Sequence, residues 1–451
     1  MGAWVAQTLK HRRVRSPLCL PQRWIAQAWR MSELWSTMSG TIWGGENLTQ
    51  IVESPLGGLS CRNRSSVGGD DDLTGLKTTP SSPRVERTLR EFRRHAPVEE
   101  ASTPPSAWYT DAEFADFEID RVFGRCWQAV GHIKQMEEPG SFFTGRVGKT
   151  RYVVCKDGEG QIRAFHNVCR HHAAAVASGS GCTHSFVCPY HGWTYGLDGR
   201  LQKASRLAGI RNFSARENGL VPIRTATWGP FVLISLAESK ASEASSDVEE
   251  GWLGSAGPTL SSAGIDSTMQ HVATREYVIK CNWKVYCDNY LDGGYHVPHA
   301  HSSLAACLDL PSYSTSLLER VSIQSCGAAK ESGLVRVGNV ATYAFVYPNF
   351  MINRYGPWMD TNLVIPISMS ECRVIFDWFL EPSLVHDKEF IDSSIADSEV
   401  VQKEDIILCE DVQNGLSSPA YDVGRYAPRV EQAMHHFHCL IYDDLSAGMI
   451  S

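Results

Sequence analysis

Residues 169–191 read CRHHAAAVASGSGCTHSFVCPYH, a Cys-x-His clip and a Cys-x-x-His clip separated by sixteen residues. Two thiolates and two imidazoles divided in this way match a [2Fe–2S] cluster in which cysteines hold one iron and histidines the other. Replacing two thiolates by neutral imidazoles raises the reduction potential, so such a cluster passes on single electrons. Zinc is the competing ion, because Cys₂His₂ zinc sites also come as paired clips. A zinc finger, however, groups its cysteines in one clip and its histidines in the other. Here each clip carries one of each, which favours the mixed-ligand cluster on Cys169, His171, Cys188 and His191.

That divided ligation defines a Rieske centre. Gly179 and Gly181 suit a turn between the clips, and Gly192, Trp193, Gly196 and Asp198-Gly199 read as a tight hairpin. His172 and His184 fit neither clip and read as solvated or structural imidazoles.

A second metal site is expected in residues 281–301, CNWKVYCDNYLDGGYHVPHAH. His296 and His301 are five apart, about 140° around an ideal helix. Pro298 interrupts the regular turn, which lets both imidazoles face one ion. Two histidines and a carboxylate with open positions form the non-haem Fe(II) arrangement that activates O₂. Such a site complements a one-electron carrier. His299 reads as supporting or structural. The carboxylate must come from far along the chain, and residues 399–413, EVVQKEDIILCEDVQ, read as a helix with no Gly or Pro. Asp405 is the preferred third ligand, but residue types alone leave Glu404, Glu410 and Asp411 open.

Elements must position these groups. Strand-like segments at Trp127–Gly131, Tyr152–Lys156, Arg163–Asn167, Phe186–Val187 and Phe231–Leu236 predict an antiparallel β domain over 107–236, with the cluster at its hairpin tips. Residues 237–264 are rich in Ser, Ala, Gly and acids and read as a linker or exposed insertion. From 265 to 451 strands and helices mix, which predicts an α+β catalytic domain.

The 451 residues, 43% hydrophobic, support two to three domains with cores of their own. No run of eighteen apolar residues predicts a membrane span. Fourteen cysteines without disulfide-framework spacing read as reduced thiols of an intracellular compartment. Residues 1–66 hold eight Lys/Arg, three acids and eight serines, the composition of an organelle transit peptide. Residues 67–106 read as a polar, disordered linker with Pro80, Pro83, Pro104 and Pro105. Beyond residue 66 the net charge is about −13 (34 basic against 47 acidic residues), which does not attract nucleic acid. Locally the sign reverses: Arg163, Arg170, Arg200, Lys203, Arg206, Arg211 and Arg216 surround the clips against Asp198 alone, a rim that would steer an acidic donor.

From about Ala107 onward the chain resembles the Rieske non-haem iron oxygenase α-subunits, most closely the plant members that oxidise choline. The matching stretches are HNVC at 166–169, FVCPYHGWTYGLDG at 186–199, NYLDGGYHVPHAH at 289–301, PNFMINRYGPWMDTN at 348–362, EDIILCEDVQ at 404–413 and GLSSPAYDVGRYAPR at 415–429. The resemblance implies an antiparallel β Rieske domain followed by a helix-grip catalytic domain. It implies a mononuclear iron on His296, His301 and Asp405, which precedes Glu410 by five. Electrons would come from reduced ferredoxin and cross a subunit interface of a homotrimer, bridged by an acid usually three positions before the first iron histidine. Position 293 is glycine here, so the bridge falls to Asp292, four before. His172 stands where arginine is common. The expected reaction is oxidation of choline by O₂ to betaine aldehyde hydrate. A quaternary ammonium donates no N–H bond and is held by aromatic faces; in the aromatic stretch 343–358 and just beyond it, Tyr355, Trp358 and Asp360 are the candidates. Plastid ferredoxin as donor points the leader to the chloroplast stroma, while a tryptophan-rich stretch at 24–35 keeps the mitochondrial matrix open. Another quaternary amine, cleaved at C–N or N-demethylated, and an electron carrier whose second site holds no iron are the alternative readings.

Overall fold

The computed structural model describes residues 82–237, 248–329 and 338–447; the expected leader at 1–66 lies outside them. Helix α1 (Pro83–Glu91) starts at Ser82, whose hydroxyl accepts the Val85 N–H, with Pro83 in the first turn. Val85 and Leu89 share one face and are buried with Phe92, and Arg94 beyond them pairs with Asp443 at 2.7 Å. The linker expected over 67–106 is therefore corrected from residue 82 onward. Its apolar residues are few, but they fall at helical spacing and form one buried stripe. Two short helices follow, α2 (Ala107–Thr110) and α3 (Ala112–Glu118). The Asp111 carboxylate caps the second by accepting from the N–H groups of Glu113 and Phe114.

The next strands are β1 (Trp127–His132), β2 (Ser141–Val147), β3 (Thr150–Lys156), β4 (Ile162–His166), β5 (Ser180–Cys182), β6 (Ser185–Val187), β7 (Thr194–Gly196), β8 (Leu201–Lys203), β9 (Pro222–Trp228) and β10 (Phe231–Ser235). Seven form an antiparallel sheet in the order β1-β10-β9-β4-β3-β2-β5, and β6-β7-β8 form a separate three-stranded meander. Phe165, Phe186, Trp193 and Tyr195 build the core under the clips.

The insertion expected over 237–264 is also corrected where it is described. Residues 248–262 make helical turns ending in α4 (Gly257–Ser262). They bury Val248, Trp252, Leu253 and Leu260 in one cluster with Phe231 and Phe350. Trp252 drives this, its ring lying 6.1 Å from that of Phe350 and 6.5 Å from that of Phe231.

After β11 (Gln270–Ile279) come α5 (Trp283–Tyr290), α6 (Val297–Ala300), α7 (Ser302–Ala305), β12 (Leu308–Leu317), β13 (Val321–Ala328), β14 (Val340–Val346), β15 (Phe350–Tyr355), β16 (Trp358–Ser368) and β17 (Glu371–Leu380). They form a second seven-stranded antiparallel sheet, β11-β17-β16-β15-β14-β13-β12. The 29-residue helix α8 (Lys388–Leu416) and α9 (Gln432–Ser446) complete the domain. Among the described residues no helix is long and apolar enough to cross a membrane.

A buried ion pair ties α3 to α5. Lys284 Nζ lies 2.8 Å from Glu118 Oε2, both essentially inaccessible, and Trp283 Nε1 donates to the same oxygen at 2.7 Å. Burial pushes the Glu118 pKa up and the Lys284 pKa down, and their mutual attraction opposes both shifts. The rings of Tyr109, Phe114 and Trp283 lie 5.2–5.9 Å from the ammonium and add cation–π attraction. This clamp anchors the helix that leads into the second metal site.

Candidate active site

The two clips meet at the ends of β4–β5 and β6–β7. Cys169 and Cys188 are buried, whereas His171 is half-exposed and His191 exposed. The thiols form the inner wall and the imidazoles the outer one, with His171 Nδ1 and His191 Nδ1 3.2 Å apart. Tyr195 fixes the inner wall, its hydroxyl accepting from the Arg170 N–H at 3.0 Å and lying 3.2 Å from Cys169 Sγ. Burial opposes ionisation of Cys169, but hydrogen bonds from Tyr195, from Cys188 and from the backbone N–H groups of His171 and His172 outweigh it and lower its pKa. Trp193 stacks on His171 at 4.7 Å. This set of two inner thiols and two outer imidazoles fits a mixed-ligand cluster. His172, expected to be merely solvated or structural, packs 3.9 Å from the His171 ring and shares one cluster of donor atoms with His171 and His191.

The second set lies in the catalytic domain. His296 caps α6, and Pro298 is accommodated in that helix's first turn. The turn brings His296 Nε2 to 3.1 Å from His301 Nε2. Asp405 Oδ1 lies 3.1 Å from His301 Nε2 and 3.6 Å from His296 Nε2. Two neutral nitrogens and one carboxylate oxygen at these separations fit a single divalent ion. The four acids of the helix now part company. Asp405 faces both Nε2 atoms, and Glu404 Oε2 sits behind His301 at 2.7 Å from Nδ1. Glu410 accepts the Lys280 N–H at 3.1 Å, and Asp411 is exposed.

Asp292 sets the other imidazole. Its Oδ2 lies 2.6 Å from His296 Nδ1 and accepts the His296 backbone N–H at 2.9 Å, while Oδ1 accepts the Tyr295 N–H. Both imidazoles are thus held at Nδ1 by a carboxylate, which turns Nε2 toward the ion position. Burial alone would lower the His301 pKa, but Asp405 and Glu404 raise it to about 8. Gly293 and Gly294, both at φ +72°, make the tight passage between Asp292 and His296. A Cβ on Gly293 would come within 2.8 Å of the Val430 carbonyl carbon and closer still to its oxygen.

The donor set opens onto a cavity of about 490 Å³ lined by Tyr286, Tyr290, Tyr313, Tyr343, Tyr355 and Phe376, with Asn353, Asp360, Asn362 and Gln402 as polar groups. Tyr355 donates a hydrogen bond to Asp360 Oδ2, and Asn353 Nδ2 donates to Asp360 Oδ1 at 2.6 Å. Trp358 was expected beside them, and the structure corrects this. It shares the inward face of β16 with Asp360 and Asn362 but lies one pair further along, where Phe390 closes over it at 5.8 Å. It is 1% exposed and does not line the cavity. Sequence reasoning missed Tyr286, Tyr290, Tyr313, Asn362 and Gln402. Only Gln402, one helical turn before Asp405, carried a signal that could have been read.

Among the described residues, one further His/His/Asp group lies outside the cavity. His132 stacks on His271 at 4.3 Å, and His271 Nε2 lies 2.9 Å from Thr274 Oγ1 and 3.1 Å from Asp377 Oδ1.

Comparisons with known proteins bear on the same segments. Residues 126–214 match the Rieske [2Fe-2S] domain, and residues 266–337 and 327–447 match the ring hydroxylating alpha subunit (catalytic domain). The chain is 56% identical over 368 residues to choline monooxygenase, chloroplastic, of Arabidopsis thaliana, covering 80% of this chain and 87% of that protein. It is 45% identical to choline monooxygenase, chloroplastic, of Spinacia oleracea, over 82% and 83% of the two chains. A solved quaternary ammonium Rieske monooxygenase, described in connection with carnitine oxidation by gut microbiota, superposes with a TM-score of 0.69 at 25% identity, covering 77% of this chain and 96% of that one.

Proposed function

This chain belongs to the Rieske-type oxygenase α-subunits, in the choline monooxygenase family, and we propose that it oxidises choline with O₂ to betaine aldehyde hydrate. The observation that carries this reading is the convergence of His296, His301 and Asp405 on one side of an aromatic-lined cavity. His296, His301 and Asp405 would hold an iron that would supply O₂ chemistry, and Cys169, His171, Cys188 and His191 would hold a [2Fe–2S] cluster that would supply single electrons. One oxygen atom enters the C–H bond of the alcohol carbon; the other leaves as water, with two electrons and two protons supplied by the donor system.

The protein's own groups bind and orient. Asp292 and Glu404 hold the two iron-facing imidazoles in the tautomer that presents Nε2. Asp292, which borders the cavity and grips His296 at Nδ1, also acts as the bridge for incoming electrons. Tyr290, Tyr313, Tyr343 and Tyr355 offer ring faces to the trimethylammonium group, worth about 2 kcal/mol or more when desolvated. Asp360, held by Tyr355 and Asn353, supplies the counter-charge.

The oxygenase is a homotrimer in which one subunit's cluster serves the next subunit's iron. Exposed apolar side chains beside each centre support this: Tyr190 (64% exposed) and Val187 at the clip, and Ile407 (68%) and Val412 on α8. Reduced ferredoxin is the electron donor, met by the exposed Arg170, Arg200, Arg206, Arg211 and Arg216. The leader at 1–66 delivers the enzyme to the chloroplast stroma.

Turnover of iron-loaded protein with reduced ferredoxin, ¹⁸O₂ and choline tests the reading, with the product trapped before its hydrate exchanges with water. Betaine aldehyde hydrate carrying one labelled atom is expected. Trimethylamine or a demethylated product would move the substrate chemistry to C–N cleavage, and about two irons per chain rather than three would make the protein a carrier.

A further inference from the structure

Two carboxamides in the cavity wall have unused donors. Gln402 and Asn362 are each 3% exposed, and both line the cavity. Gln402 Nε2 and Asn362 Nδ2 are buried without a hydrogen-bond partner among the described residues. Their orientation follows from their neighbours. Tyr286 donates its hydroxyl to Gln402 Oε1 at 2.7 Å, which uses the carbonyl and leaves the NH₂ group over. Asn362 is set by a longer chain of constraint. The Asp360 carboxylate can only accept, which fixes Asn353 Nδ2 toward it at 2.6 Å. Tyr290 donates to Asn353 Oδ1 at 2.7 Å, and the same Asn353 Nδ2 reaches Asn362 Oδ1 at 3.2 Å. The Asn362 carbonyl is thereby used, and its NH₂ group remains.

A buried N–H donor without an acceptor costs about 1–3 kcal/mol, so two of them in one cavity indicate a ligand that accepts. We propose that Gln402 and Asn362 donate hydrogen bonds to the oxygen of the substrate and so place its alcohol carbon at the iron-binding residues. This rests on the choline reading and deepens it. The trimethylammonium group has no lone pair, so the hydroxyl oxygen is the only acceptor choline offers. Gln402 precedes Asp405 by three residues on α8, about 4.5 Å along the axis, which puts the oxygen-bearing end at the metal side. The geminal diol formed there carries two oxygens, one for each amide.

The test compares choline with ethyltrimethylammonium, which has the same cation and lacks the hydroxyl. Dissociation constants are measured anaerobically by calorimetry on iron-loaded wild type, Gln402→Met and Asn362→Leu. Iron content and the cluster spectrum confirm that each variant is assembled. Wild type should prefer choline, and the ratio of the two constants should fall by about 3- to 10-fold in each variant. Ethyltrimethylammonium itself should bind all three within about twofold. A ratio near one in wild type, or a ratio unchanged in both variants, would overturn the assignment even if choline is the substrate. A wild type that binds ethyltrimethylammonium but is not competent to bind or oxidise choline would overturn the choline reading together with it.

Discussion

Gly293→Ala isolates the second metal site from the first. Gly293 sits at φ +72°, where an alanine is strained by about 1–2 kcal/mol. Its new Cβ would also lie 2.8 Å from the Val430 carbonyl carbon and nearer still to the oxygen, against an ordinary contact of 3.4 Å or more. The obstacle is backbone, so it cannot rotate away, and one of the two segments must retreat by about 1 Å. Asp292 immediately precedes the substitution and His296 follows three residues later, so the retreat falls on the carboxylate–imidazole pair 2.6 Å apart. A misplacement of this size near reacting groups lowers turnover about 10²-fold, and the total destabilisation should be about 2–4 kcal/mol. The clips at 169–191 belong to a different sheet, so the visible and circular-dichroism bands of the cluster should be unchanged. Iron per chain should drop from about three toward two in the presence of a weak chelator. Gly415→Ala is the control: that glycine lies inside α8 with nothing within 4 Å of a built Cβ. It should gain up to about 1 kcal/mol and keep full iron. If Gly293→Ala retained three irons and turned over within twofold of wild type, the argument that this glycine sets the geometry of Asp292 and His296 would be wrong.

Lys284→Met should destabilise by about 3–5 kcal/mol in chemical denaturation, because it leaves the Glu118 carboxylate charged and buried; adding Glu118→Leu should recover most of the loss, and a double variant no more stable than the single one would contradict the pairing. Trp358→Ala should cost about 3–5 kcal/mol of stability while leaving the choline dissociation constant unchanged, whereas Asp360→Asn should weaken choline binding; the opposite pattern in calorimetry would return Trp358 to the cation site. Ferredoxin-supported rates should fall steeply as ionic strength rises from 0.01 to about 0.15 M, and rates flat across that range would remove the arginine rim from the docking surface.

What was legible in advance follows from how far apart the cooperating residues lie. The clips at Cys169–His171 and Cys188–His191 are local, and their spacing is dictated by one cluster, so residue types alone sufficed to find them. His296 and His301 were nearly as clear from type and spacing, but not for the reason expected: Pro298 sits in the first turn of α6, and the backbone leaves the helix only at His301. Residues 82–92 were lost for the opposite reason. Three apolar side chains among charges look like a linker, and only the surface that receives them, where Phe92 packs on Trp108, His438 and Tyr442, makes them a core. The cavity was least legible. Its walls come from α5, α6, α7, five strands and α8, so neighbours in space are up to about a hundred residues apart in sequence. Alternation along β16 puts Trp358, Asp360 and Asn362 on one face, yet the first ends under Phe390 and the others reach the cavity.

Glu404 and Asp405 show the same point at its sharpest. They are adjacent acids on one helix, and composition cannot rank them as ligands. Successive residues on a helix point about 100° apart, too far for both to face one ion but suited to grasping one ring from two sides. His301 is that ring, with Glu404 2.7 Å from Nδ1 and Asp405 3.1 Å from Nε2. An acid on Nδ1 fixes the tautomer, and only then is Nε2 free to share an ion with Asp405. The consecutive pair is therefore one device, orientation and ligation supplied by neighbouring residues. Exchanging the two acids, as Glu404→Asp with Asp405→Glu, should lose both functions, although charge and composition are unchanged.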